Sequence, residues 1–201
     1  MEINEVLTVF NKLYPNAKCT LNYNKDYELL IAVMLSAQTT DKAVNNVTKQ
    51  LFRKYPSLSA LKRATFKDIS DIIHPLGMYK VKARNVIGIA KMLNGKVPNT
   101  REELMRFPGV GQKVANVVLM ELYHLPYFAV DTHVARIFKR MRFIKKTANV
   151  KEIEEKALKI IPVNSLIIAN HQFIEFGRNI CSAKKPKCVT CPFGKMKCDN
   201  I

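Results

Sequence analysis

Apolar side chains recur along this chain at the three-to-four-residue spacing of a helix, and the alternation that marks a half-buried strand is hard to find. Ile3, Val6, Leu7, Phe10 and Leu13 form one stripe, stopped by Pro15-Asn16. Glu28 to Ser36 is apolar all round, which suits a helix buried on every side. Val44, Val47 and Leu51 mark a helix ending near Pro56, and Phe66, Ile69, Ile72 and Ile73 mark one ending at Pro75-Leu76-Gly77. Ala83, Val86, Ile87, Ala90 and Leu93 mark another. Thr100-Arg101-Glu102-Glu103 has the spacing of a capping box, in which hydroxyl and carboxylate satisfy the free amides of a helix start reciprocally. Further helices are predicted around 112–122, 132–142, 150–161 and 164–177. The pattern predicts an all-α fold of roughly ten helices, with no repeat or low-complexity stretch.

Composition narrows the classes of function. With 201 residues, 48% hydrophobic and 24% charged, the chain suits one large domain or two small ones and is too apolar to be disordered. Lys plus Arg number 33 against 16 Asp plus Glu, a formal net charge of +17. A surplus of that size repels itself in the folded state, so a polyanion such as nucleic acid is the natural partner. No apolar run approaches the roughly 18–20 residues of a membrane span. Glu2 stands where a secretory signal places its bases. No signal peptide, transmembrane segment or membrane partner is expected, and the location is read as cytoplasmic.

The five cysteines are an odd set, and Cys181, Cys188, Cys191 and Cys198 crowd into the last 21 residues. A secreted disulfide framework spreads an even set through a short chain. The intervening stretches of six, two and six residues suit structural zinc or a [4Fe–4S] cluster equally. Cys19 stands apart and reads as a small packed hydrophobe.

Phe107-Pro108-Gly109-Val110-Gly111-Gln112-Lys113 joins the helix opened at Thr100 to the one predicted from 112. Its two glycines let the backbone turn sharply and bring amides close to a large anion. The helix it opens offers free N–H groups and a positive dipole end to phosphate. An ordinary corner between helices is the plainer reading of Gly-x-Gly alone. The proline before it, the lysine after it and the basic chain favour phosphate, held without reading of base sequence. Asp131 precedes a stripe of Val134, Ile137, Phe138 and Met141, and by pattern it is a helix N-cap. Met78 is by itself an ordinary core methionine and Gln38 a polar helix end.

Four segments together resemble the endonuclease III family of DNA glycosylases: Phe107 to Val118 its helix–hairpin–helix, Val130-Asp131-Thr132-His133-Val134 its catalytic aspartate segment, Leu29 to Gln38 its early buried helix, and the cysteine cluster its iron–sulfur loop. The likeness covers nearly the whole chain in the right order. It implies a six-helix barrel domain over 19–125, inserted into a helical iron–sulfur domain made of 1–18 and 126–201, with Lys113 at the mouth of a cleft facing Asp131.

The activity implied is base excision repair: a DNA N-glycosylase with AP-lyase activity, acting as a monomer associated with the nucleoid. Its partner is double-stranded DNA, from which it removes oxidised pyrimidines and which it nicks at abasic sites. Lys113 is then the nucleophile that forms an imine at the sugar C1′, making the 2′ proton acidic enough for β-elimination. Asp131 stabilises oxocarbenium charge or deprotonates that amine. Gly109, Val110, Gly111 and Gln112 hold phosphate, and His133 is a further DNA contact. A base must leave the stack before it is excised. Gln38 takes up hydrogen bonds left by the lost base, Met78 is an apolar wedge, and Lys80 lies beside it on the DNA. Cys181, Cys188, Cys191 and Cys198 hold a [4Fe–4S] cluster, the last loop being one residue longer than is usual in the family. Lys184, Lys185 and Lys187 in the first loop suit phosphate contact.

Three other functions compete. An adenine-mismatch glycosylase expects a catalytic glutamate near Ala32 and generally lacks the lysine, so the residues argue against it. A thymine-mismatch glycosylase of the same superfamily differs in pocket residues that follow no obvious code. A non-catalytic helix–hairpin–helix module accounts for the charge and the turn but leaves the pairing of Lys113 with Asp131, eighteen residues on, without a purpose.

Overall fold

The structure is a computed structural model describing residues 1–194. Every α-helix among these residues can be placed in chain order. The first six are α1 (Ile3–Leu13), α2 (Asp26–Leu35), α3 (Asp41–Lys54), α4 (Leu58–Lys62), α5 (Phe66–Ile73) and α6 (Tyr79–Met92). They are followed by α7 (Arg101–Leu104), α8 (Gln112–Tyr123), α9 (Thr132–Arg140), α10 (Val150–Ile160) and α11 (Leu166–Asn179), with a 3-10 turn at Val163–Ser165. No strand occurs among the described residues.

Side chains define many of the helix starts. Thr40, Ser57, Thr65, Thr100 and Asp131 each accept the backbone N–H three residues on, opening α3, α4, α5, α7 and α9. At Thr100 the Glu103 carboxylate accepts the threonine hydroxyl at 2.7 Å, in place of the backbone amide that a reciprocal box would give it. A full capping box does form at α10, where Asn149 accepts the Glu152 amide and the Glu152 carboxylate accepts that of Asn149.

The chain divides into two units, Thr20–Tyr123 and Met1–Cys19 with His124–Ile201. In the first, α2 is the centre: Tyr27 to Leu35 are all buried, and α3, α6 and α8 pack around them. Burial of Leu29, Leu30, Ile31 and Leu35, each fully enclosed, contributes about 1.5–3 kcal/mol apiece as an upper figure. The α5 helix packs on α3 and α6, α4 on α6, and α7 on α8. A Cβ at Gly88, inside α6, would lie 2.6 Å from Pro108 Cγ, so the helix and the turn before α8 meet where only glycine leaves room. Phe66 departs from the predicted stripe: it is 41% exposed, and the Arg84 guanidinium lies over its ring at 5.6 Å.

The second unit is built on aromatic rings. Phe10, Phe128, Phe138, Phe173 and Phe176 are buried together, with edge or tilted contacts such as 4.9 Å from Phe10 to Phe173 and 5.1 Å from Phe138 to Phe173. Helix α11 packs against α1 and α9, and α10 against α9. Gln172 Nε2 donates to Asn11 Oδ1 at 2.9 Å, and Asn170 Nδ2 donates to the Ala129 carbonyl at 2.8 Å, fixing the strip that leads to Asp131. Gly177 lets α11 close on α9, for a Cβ there would fall 2.7 Å from His133 Cβ.

Candidate functional site

The turn before α8 is closed by Val110 N–H to the Phe107 carbonyl at 3.1 Å, and Ala115 N–H reaches the Gly111 carbonyl at 3.0 Å. The two glycines differ. Gly109 has φ +78, and a Cβ on it would lie 2.3 Å from Asn85 Nδ2 and 3.1 Å from Met34 Cγ, so the position demands glycine twice over. Gly111 needs no positive φ and has nothing within 4 Å of a Cβ, so its backbone does not make the sharp turn that the sequence suggested for both. Gly109 and Gly111 are exposed, whereas the Val110 side chain is 5% exposed and leaves only main chain for a ligand. Gln112 and Lys113, half-buried, begin α8, whose Val114, Ala115, Asn116 and Val118 face inward.

Gln38 and Met78 share an unusual backbone. Helix α2 ends at Leu35, and Gln38 lies three residues beyond it, exposed, with φ 54. Met78 is the N-cap residue of α6 with φ 58 and is 62% exposed, which excludes the core-methionine reading. A left-handed conformation in a non-glycine residue costs about 1 kcal/mol or more, so each side chain is displayed at some expense. Lys80, two residues on, is exposed. Between these turns lies Lys82, a residue the sequence did not single out: it is 5% exposed, and its Nζ donates to the Ala37 carbonyl at 2.9 Å and to Thr39 Oγ1 at 2.8 Å.

Asp131 is half-buried and caps α9, accepting the Val134 amide at 2.8 Å. His133 is held against Arg136, whose Nη2 lies 3.1 Å from His133 Nδ1 and donates to the Gly177 carbonyl at 3.0 Å. The same guanidinium donates through Nε to the Cys181 carbonyl at 2.9 Å. One turn later, Arg140 Nη1 donates to Cys181 Sγ at 3.3 Å and to the Ser182 carbonyl at 2.8 Å, while Nη2 reaches Ala183. Neither arginine stood out in the sequence of a chain so rich in cations. Their place four residues apart on α9 was the signal available.

Cys181, Cys188 and Cys191 open onto one small pocket, walled by Met141, Phe176, Ile180 and Phe193 and edged by Arg140 and Lys187. Phe193 carries this segment into the aromatic core, 5.5 Å from Phe176. Burial pushes the Cys191 thiol up from its ordinary value, and the charges of Cys181 and Cys188 push the same way. Among the described residues no group of three or more Cys, His, Asp or Glu side chains is placed to hold a metal ion, and Cys198 lies outside them. Three thiols on one apolar-walled pocket nevertheless have the donor chemistry of a sulfur-ligated group. Lys184, Lys185 and Lys187 are exposed in the first cysteine loop. Cys19 is half-buried and belongs to no such group.

Comparison with known proteins places this geometry. Residues 31–163 match the HhH-GPD superfamily of base excision DNA repair proteins. Endonuclease III of Bacillus subtilis (strain 168) is 37% identical over 95% of this chain and 89% of its own length, and that of Escherichia coli (strain K12) 39% identical over 93% and 90%. A solved endonuclease III trapped as a covalent intermediate with DNA superposes with a TM-score of 0.92 at 42% identity, covering 98% of this chain and 93% of that one. A non-covalent endonuclease III–DNA complex gives 0.93 at the same identity and coverage. A thermostable thymine-DNA glycosylase shares the fold, with a TM-score of 0.86 at 21% identity. No helix among the described residues is long and apolar enough to cross a membrane. The matching helix–hairpin–helix, carried in a chain similar from end to end, makes this protein a member of the endonuclease III family within the HhH-GPD superfamily of base excision DNA repair proteins.

Proposed function

We propose that the chain excises oxidised pyrimidines from double-stranded DNA and then cuts the strand, with Lys113 as nucleophile and Asp131 as its acidic partner. The observation that carries this is the position of Lys113 on the first turn of α8, immediately after a turn whose backbone Gly109 alone can adopt. Phosphates gripped at that turn bring a sugar within reach of the lysine amine. The amine attacks C1′ and the glycosidic bond breaks, its electron pair leaving with the base. Loss of an amine proton and opening of the sugar ring, the C1′–O4′ electron pair leaving on O4′ and taking up a proton there, yield a protonated imine. The C2′ proton, acidified by that imine, is removed, and the 3′ phosphate leaves with the C3′–O electron pair. The Asp131 carboxylate offsets positive charge at the sugar while it caps α9. A solved relative caught as a covalent DNA intermediate supports a covalent course.

Cys181, Cys188 and Cys191, with Cys198, are the residues to hold a [4Fe–4S] cluster. A cluster takes one thiolate to each iron, and three cysteines around one apolar-walled pocket supply that donor chemistry. When bound it braces the basic loop of Lys184, Lys185 and Lys187, because neither bond-breaking step transfers electrons. Purified protein should contain about four irons with matching sulfide, and stoichiometric zinc without sulfide would overturn the assignment.

Borohydride tests the nucleophile. Reduction should freeze the imine as a permanent protein–DNA cross-link, and Lys113→Gln should abolish trapping and strand cleavage while lesion binding persists. Trapping retained in Lys113→Gln would place the attacking amine elsewhere.

A further inference from the structure

We propose that Lys82 is a positioning residue for base flipping: its side chain ties the turn bearing Gln38 to the turn bearing Met78, so that the two residues meet DNA as a fixed pair. The proposal rests on the reading of Gln38 and Met78 as the residues that enter the stack.

Lys82 reaches both turns at once. Its backbone N–H donates to the Met78 carbonyl at 3.0 Å, beside the Val81 N–H at the same distance. Its Nζ donates to the Ala37 carbonyl and to Thr39 Oγ1, the two residues that flank Gln38. The Gln38 turn is itself closed by Thr39 N–H to the Ser36 carbonyl at 3.1 Å. Gln38 and Met78 are two of four non-glycine residues with positive φ among the described residues. Strained backbone on an exposed tip persists only where its surroundings hold it, and one residue holds both tips, its ammonium at the Gln38 turn and its backbone amide at Met78.

The choice of lysine points the same way. Burial disfavours an ammonium, and burial lowers the Lys82 pKa from its ordinary value. An aliphatic residue would fill the space without that cost. What the ammonium adds is its pair of bonds to the Gln38 turn, whose other side chains, Ala37 and Gln38, are exposed and contribute no core packing.

Lys82→Met removes the ammonium and keeps the stem. Amide exchange should quicken in residues 36–40 and 76–81 together, and single-turnover excision of a paired lesion should slow roughly tenfold, the rate equivalent of one hydrogen bond to a charged group. Binding of undamaged duplex, which depends on the hairpin, should be unchanged. Thr39→Val, which removes one acceptor at a half-buried site, should show a smaller loss of the same kind, and Lys82→Arg should restore most of it. In a Gln38→Ala/Met78→Ala background, Lys82→Met should cost nothing further, because it acts only through those residues. An independent additional loss in that background, or unchanged exchange in either turn, overturns the proposal. Normal excision by Gln38→Ala/Met78→Ala overturns the insertion reading instead, and the exchange result then separates a tie without that purpose from no tie at all.

Discussion

Arg140 Nη1 and Cys181 Sγ are joined by a 3.3 Å hydrogen bond that anchors the first ligand-type cysteine to a rigid helix. The same guanidinium takes the Ser182 and Ala183 carbonyls, so one side chain fixes the start of the cysteine loop. Arg140→Leu should lower stability by about 2 kcal/mol and reduce iron bound per chain. Thermal unfolding and iron assay on the purified variant check this, and unchanged values in both would show that the loop stands without the arginine.

Gly109 and Gly111 should behave differently despite their symmetry in sequence. Gly109→Ala meets a positive φ and a 2.3 Å approach to Asn85 Nδ2, so it should destabilise by more than 1 kcal/mol or so and weaken duplex binding. Gly111→Ala meets neither obstacle and should stay within about 0.5 kcal/mol. Urea midpoints and duplex titrations on the two variants provide the comparison.

Asp131 caps α9, and the proposed role in excision should be separable from that. Asp131→Asn should still cap α9, because Asn caps about as well as Asp, and should leave stability within about 0.5 kcal/mol. Asp131→Ala should cost about 1 kcal/mol by losing the bond to the Val134 amide. Excision should fall steeply in both. An Asn variant with full activity would leave Asp131 as a cap alone.

Asp68 gives the α3–α5 contact a pH dependence. Hydrogen bonds from Lys54, at 2.7 Å, and Thr65 hold its carboxyl at about 2 instead of 3.8. A folded pKa below the unfolded one adds stability that is complete above the unfolded value and is lost as the pH falls through the folded one. The contribution should therefore fade from about pH 4 to about pH 2 and weaken with salt, since the pair is exposed. Lys54→Met should move the Asp68 carboxyl back toward 3.8, read by carbon-detected titration.

Much of this architecture was legible because it rests on local rules. The stripe of Ile3 to Leu13, the unbroken apolar run before Leu35 and the cap at Asp131 each state their element in a few neighbouring residues. Helix α4 escaped because its five residues, Leu58–Lys62, are too few to display a stripe. Asn149 and Thr100 share capping-box spacing to a glutamate, yet only Asn149 makes the full exchange, so spacing alone does not settle the cap. The site divides along the same line. Lys113, Asp131 and the cysteines belong to contiguous motifs, whereas Lys82, Arg136 and Arg140 work through partners about 40 positions away, in a chain of 33 cations where no one cation stands out. Gly88 and Gly177 likewise sit inside helices for the sake of neighbours that only the fold supplies.

The almost wholly buried girth of α2 has a consequence for how the protein is made. Nine of its ten residues are buried, so it has no side that water tolerates. Synthesis delivers it early, while α6 and α8, which enclose it, begin only at Tyr79 and Gln112. Until Tyr123 has emerged, the nascent chain carries a sticky segment without shelter, the kind of surface on which chaperones act. Growth temperature and chaperone supply should therefore govern the yield of soluble protein more strongly than the stability of the finished fold.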